Sequence, residues 1–76
     1  MNTSSNNIAT ADAIPLFLSF CIEQYKHAHG LSGSEAMQKL NSVGALDYLE
    51  ENYEVIHTQS PECILLDIVE FVNKHE

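Results

Sequence analysis

The chain has 76 residues, 45% of them hydrophobic and 18% charged, with eleven acidic side chains against three lysines, no arginine and a formal charge of −8. A chain this short forms one domain that buries only about 60% of its unfolded surface, which leaves little for a deep catalytic cleft. Free nucleic acid and anionic membranes are held by Lys and Arg against phosphate, so this composition argues against both and points to a basic protein surface as the electrostatic complement.

The apolar fraction is generous for so small a fold, which leaves apolar surface for a partner. Cys21 and Cys63 both fall in apolar helical patterns and read as reduced core thiols rather than a disulfide. No C-x-x-C or H-E-x-x-H spacing is present, so neither a metal nor a cofactor is expected. The start of the chain has no basic stretch leading into an apolar one, and no run approaches the ~20 apolar residues of a membrane span; the expected compartment is the cytoplasm.

Residues 1–11 are rich in Asn, Ser and Thr and read as a flexible tail, leaving 12–76 as a single helical domain. Thr10 or Asp12 is the expected N-cap of the first helix, with Pro15 in its first turn. Ile14, Phe17, Leu18, Cys21, Ile22, Tyr25 and Ala28 repeat at helical spacing and define its core face. Leu16 and Phe20 point away from that face and are candidate partner-binding residues. Lys26, His27 and His29 fall in the last turn, where positive charge meets the negative helix end, and Gly30 suits the left-handed stop. His27 and His29 are two apart and point to different sides, so they read as helix-end residues rather than metal ligands.

Ser32 and Glu35 form an S-x-x-E capping box for a second helix to about Ser42, with Ala36, Met37, Leu40 and Val43 as its apolar stripe and Gly44 as its stop. Ser32-Gly33-Ser34 lacks the pattern of a phosphate-binding loop, and capping accounts for it. A short third helix follows from Ala45 to about Asn52, with Leu46, Leu49 and Tyr53 inward. Asp47, Glu50, Glu51 and Glu54 take the i, i+3, i+4, i+7 positions opposite and form a candidate partner-binding stripe of carboxylates without a local lysine.

Glu54 to Gln59 contains β-branched residues and no helical stripe, and reads as an extended connector. Ser60-Pro61-Glu62 then supplies N-cap, N1 proline and an early acid for a last helix that is apolar on most sides. His57 beside Thr58 invites a test as a general base. No second catalytic element accompanies it, so a structural, hydrogen-bonded role is favoured and no catalytic residue is assigned. A buried His57 bonded to backbone would settle for that role; a His57 lining an open pocket would argue for more. The fold expected is all-α: a small compact bundle of four helices, the third short, with right-angled crossings and one extended connector before the last helix.

Phe17-Leu18-Ser19-Phe20-Cys21-Ile22-Glu23-Gln24-Tyr25-Lys26, Leu31-Ser32-Gly33, Tyr48-Leu49 and Tyr53-Glu54-Val55-Ile56-His57-Thr58-Gln59 together resemble a family of small bacterial domains of unknown function. That family carries an F-x-x-F-C-I-E-x-Y-K opening, a central L-S-G and a Y-x-x-[LI]-H-T motif. The resemblance covers the chain from Ile14 onward and implies Tyr53, His57 and Thr58 as motif positions of open role. It also implies companionship with adjacent-gene proteins similar to ADP-ribosyltransferases. The leading expectation is therefore a small acidic protein-interaction domain, an antitoxin or regulatory partner that masks a basic site on such an enzyme. A homodimeric scaffold and a small enzyme or ligand-binding domain using His57, Thr58 and Tyr53 are the alternatives.

Overall fold

The computed structural model describes the backbone of residues 2–76 and the side chains of residues 13–76. The expected tail falls outside the described side chains, but its backbone is helical from Asn2, so the first helix does not start at Thr10 or Asp12. Five helices follow in order: α1 (Asn2–His29), α2 (Gly33–Ser42), α3 (Ala45–Glu51), α4 (Tyr53–Ile56) and α5 (Pro61–His75). No strand occurs among the described residues, and the protein is an all-α bundle.

Local chemistry sets most of the boundaries. Gly30 takes φ 63°, a left-handed conformation that a side chain would strain, and the Leu31 N–H turns back to the Lys26 carbonyl at 3.0 Å. Ser32 then opens α2 with a complete capping box: the Glu35 N–H donates to Ser32 Oγ at 3.1 Å, and the Ser32 N–H donates to Glu35 Oε1 at 2.9 Å. Two helix-end N–H groups are thus satisfied by side chains. Replacing Ser32 with Ala should lower stability by about 1 kcal/mol, read as a lower urea midpoint at an unchanged slope. Gly44, at φ 81°, makes the second left-handed turn between α2 and α3. Ser60 caps α5 through the Cys63 N–H at 3.3 Å, with Pro61 at the first helical position.

One side of each helix supplies the core. Phe17, Cys21 and Tyr25 of α1 share a face at four-residue spacing; they join Ala36 and Leu40 of α2, Ala45 and Leu49 of α3, Ile56 of α4, and Ile64, Ile68 and Val72 of α5. No polar or charged residue is buried among the described residues. Completely burying a side chain the size of Leu40, Leu49 or Ile68 contributes roughly 1.5–3 kcal/mol, so these few residues dominate the stability of a small domain.

Several further sequence expectations need correction. Ala28, expected on the core face of α1, is exposed in its last turn. The extended connector is instead the single helical turn of α4 followed by a turn. Burial of Ile56 requires that turn, and the His57 N–H closes it on the Tyr53 carbonyl at 3.0 Å, overriding the β-branched propensity of Val55 and Ile56. Pro15 lies inside α1 rather than in its first turn, at the cost of one helical hydrogen bond. Met37 is 54% exposed, since Ala36 and Leu40 already fill the inward face of α2. Cys63 is exposed in the first turn of α5, and only Cys21 is a core thiol; both are free.

Candidate protein-docking surface

The flank of α1 beside its core face presents Leu16, 69% exposed, and Phe20, 38% exposed. Between them in sequence, Phe17 turns inward and meets the ring of Tyr53 edge-on, with centroids 5.3 Å apart and planes at 74°. Tyr53 is stacked in turn on His57 at 4.2 Å and 9°. The apolar flank of α1 and the α4 turn thereby form one groove of about 400 Å³, lined by Leu16, Phe17, Phe20, Tyr53, His57 and Ile64 together with Ala13, Gln59 and Pro61.

His57 is exposed, and its Nδ1 lies 2.6 Å from the Tyr53 carbonyl. A carbonyl only accepts, so Nδ1 carries the proton, and in the neutral ring Nε2 is left as an acceptor. Thr58 Oγ1 donates to the Val55 carbonyl at 2.9 Å. The Tyr53, His57 and Thr58 motif thus closes the end of α4, and Tyr53 and His57 build one wall of the groove. The sequence-based criterion for His57 divides: the side chain is bonded to backbone but exposed rather than buried, and it lines an open groove.

The same device recurs twice. His29 stacks on Tyr25 at 4.1 Å with Nδ1 3.2 Å from the Tyr25 carbonyl, and His75 stacks on Phe71 at 4.0 Å with Nδ1 2.9 Å from the Phe71 carbonyl. In each case an aromatic residue precedes a histidine by four positions at a helix end, where unsatisfied carbonyls need donors. This spacing is legible in the sequence as Tyr25/His29, Tyr53/His57 and Phe71/His75, and it is the signal that the motif reading missed. His27 lies 3.2 Å from Glu23 instead.

Asp47, Glu50, Glu51 and Glu54 are all exposed. The ion pairs among the described residues engage Glu23 with Lys26 and His27, and Glu76 with Lys39 at 2.6 Å; none engages these four carboxylates. The stripe is not continuous, however. α3 ends at Glu51, Asn52 leaves helical geometry at φ −110° and ψ 21°, and Glu54 belongs to α4. The Asn52 side chain donates to the Tyr48 carbonyl at 2.8 Å and holds this break. Glu54 directly follows Tyr53, which places a carboxylate-bearing residue beside the groove wall.

Tyr48 fixes α3 on α5. Its hydroxyl donates to Asp67 at 2.9 Å while its ring stacks on Phe71 at 4.4 Å. Burial, and then the Asp67 hydrogen bond, push the Tyr48 phenol above its ordinary range. The acidic helix is therefore held in a defined position rather than hung from a loop.

Among the described residues, no group of three or more His, Cys, Asp or Glu side chains is arranged to hold a metal ion, and no helix is long and apolar enough to cross a membrane. No curated protein and no solved structure matches the chain. The sequence model of the family described as "Protein of unknown function (DUF3791)" matches residues 16–75, from Leu16 of the groove through α5. That span takes in the acidic residues and, apart from Ala13, the whole groove, and the chain belongs to this family.

Proposed function

We propose that this protein is a protein-interaction domain that neutralises or regulates a partner enzyme by covering a basic surface on it. The observation that carries this reading is the set of four exposed carboxylates without a cationic partner among the described residues, on the same small domain as a groove with two exposed apolar side chains. An excess of like charge is a small liability in the free protein, and a basic partner converts it into affinity and a faster encounter. The exposed apolar residues supply the surface that charge alone cannot hold. The family resemblance supports an adjacent-gene partner similar to ADP-ribosyltransferases, with this chain as antitoxin or immunity protein in the cytoplasm of a bacterium. Masking is steric and electrostatic, and His57 serves as a wall of the docking groove rather than as a catalyst.

Association with that enzyme should weaken as salt rises. The variant carrying D47N, E50Q, E51Q and E54Q should associate about tenfold more slowly at low salt while folding normally, since all four side chains are exposed. Stopped-flow association across salt concentrations checks this; a rate indifferent to both salt and substitution contradicts it.

The homodimer reading has a specific observation behind it: Leu66, 67% exposed, lies with Val69 and Cys63 along a second groove of about 500 Å³ on α5. Asp67 and Glu70 line the same groove, and at −8 per chain two copies repel. Sedimentation at several concentrations separates the readings, with self-association at low salt favouring the dimer.

A further inference from the structure

We propose that the groove between α1 and α4 receives an amphipathic basic helix of the partner, with apolar side chains against Leu16 and Phe20 and a hydrogen-bond donor at His57 Nε2. This rests on the proposed docking function and names the element that docks. Three features lead to it. First, the wall is apolar and aromatic, with Phe17, Phe20 and Tyr53 presenting adaptable contact surface. Second, His57 is held in one orientation by its stack on Tyr53 and in one tautomer by the Tyr53 carbonyl, so its free nitrogen in the neutral ring is an acceptor and selects a donor. Third, the carboxylate-bearing residue that follows the groove wall is Glu54, and Glu50 and Glu51 precede it on α3; all are exposed and without a cation among the described residues. A helix that is apolar on one face and rich in Lys or Arg beside it matches this order of acceptor, apolar wall and negative charge. A neutral or acidic helix matches only the apolar wall.

The test uses the full chain and two synthetic helical peptides. Both carry leucines at i, i+4 and i+7; one carries lysines at the flanking positions and its twin carries glutamates. In 15N-labelled protein at low salt, the lysine peptide should shift the amides of Leu16, Phe20, Tyr53 and His57, and should move the His57 Nε2 resonance while Nδ1 stays protonated. The glutamate peptide should shift none of them. The double variant L16S/F20S should bind the lysine peptide about tenfold more weakly, a loss set by removing two apolar anchors. A circular dichroism melt of this variant confirms folding, which substitution at two exposed positions leaves intact. Shifts confined to α3 with no loss in L16S/F20S would overturn the groove as the site while leaving charge-driven docking intact. Groove shifts that grow with protein concentration in the absence of peptide would overturn it in favour of a second copy of the chain. Equal binding of both peptides would overturn the basic character of the occupant.

Discussion

Replacing Leu49 with Ala should destabilise the protein by about 2–5 kcal/mol and leave a substantial fraction unfolded at 25 °C. Leu49 is completely buried and comes from a helix only seven residues long, in which the small Ala45 is the other buried residue. It packs in the same cluster as Leu40, Ile68 and Cys21, and the cavity would open where α1, α2 and α5 converge on α3. A domain of this size has little reserve: total stabilities of about 5–15 kcal/mol are general, with small chains at the low end. Denaturant unfolding followed by circular dichroism checks this. A loss below about 1 kcal/mol would show that α3 is not part of the cooperative core, which would also leave the acidic face without a fixed position.

Alkali should unfold the protein through Cys21. Burial pushes this thiol from its ordinary 9.0 up to about 12, because a thiolate cannot be solvated among Phe17, Leu40 and Leu49. Below pH 9 the thiol is protonated in both folded and unfolded chains, and the stability is fully present. Above pH 9 the unfolded chain releases its proton first. Stability therefore falls by about 1.4 kcal/mol for each pH unit until the folded thiol also ionises, a total of about 4 kcal/mol by pH 12. The raised phenol of Tyr48 acts in the same direction at the upper end of this range. C21A isolates the effect: it should be less stable at pH 7 yet lose less stability between pH 9 and 11 than the natural chain. Disulfide-exchange reagents at neutral pH should modify the exposed Cys63 at once and Cys21 only on unfolding. Rapid modification of both thiols would contradict the burial of Cys21.

The helix ends were readable because each rests on chemistry within a few residues. The Ser32–Glu35 box, Ser60 with Pro61, and the glycines at 30 and 44 all form where the sequence places them. The α1 core face was readable for the same reason, since Phe17, Cys21 and Tyr25 differ plainly in position from Leu16 and Phe20. The stretch from Tyr53 to Gln59 was not. Val55 and Ile56 favour extended backbone locally, and only burial of Ile56 with the His57 and Thr58 bonds to carbonyls turns it into a helical turn. On α5 the apolar residues are so dense that periodicity does not separate the buried Ile64, Ile68 and Val72 from the exposed Cys63 and Leu66.

The candidate surface divides along the same line. Exposure of the four carboxylates and of Leu16 and Phe20 follows from helical register. That Leu16 and Phe20 share a groove with Tyr53 and His57 follows from the contact of Phe17 with Tyr53, 36 positions along the chain, which no local pattern encodes. The break at Asn52 was hidden too, because Asp47, Glu50, Glu51 and Glu54 keep helical spacing across a residue where the helix itself does not continue.

The central proposal is that this chain presents its exposed carboxylates and the groove between α1 and α4 to a basic protein. Co-expression with the proposed adjacent-gene enzyme tests this most directly, with growth and co-purification read together. The account predicts that the natural chain restores growth and co-purifies with the enzyme, and that combining D47N, E50Q, E51Q and E54Q with L16S and F20S abolishes both while the variant remains folded. Absence of any complex and of any rescue by the natural chain, or full rescue by the combined variant, would contradict it.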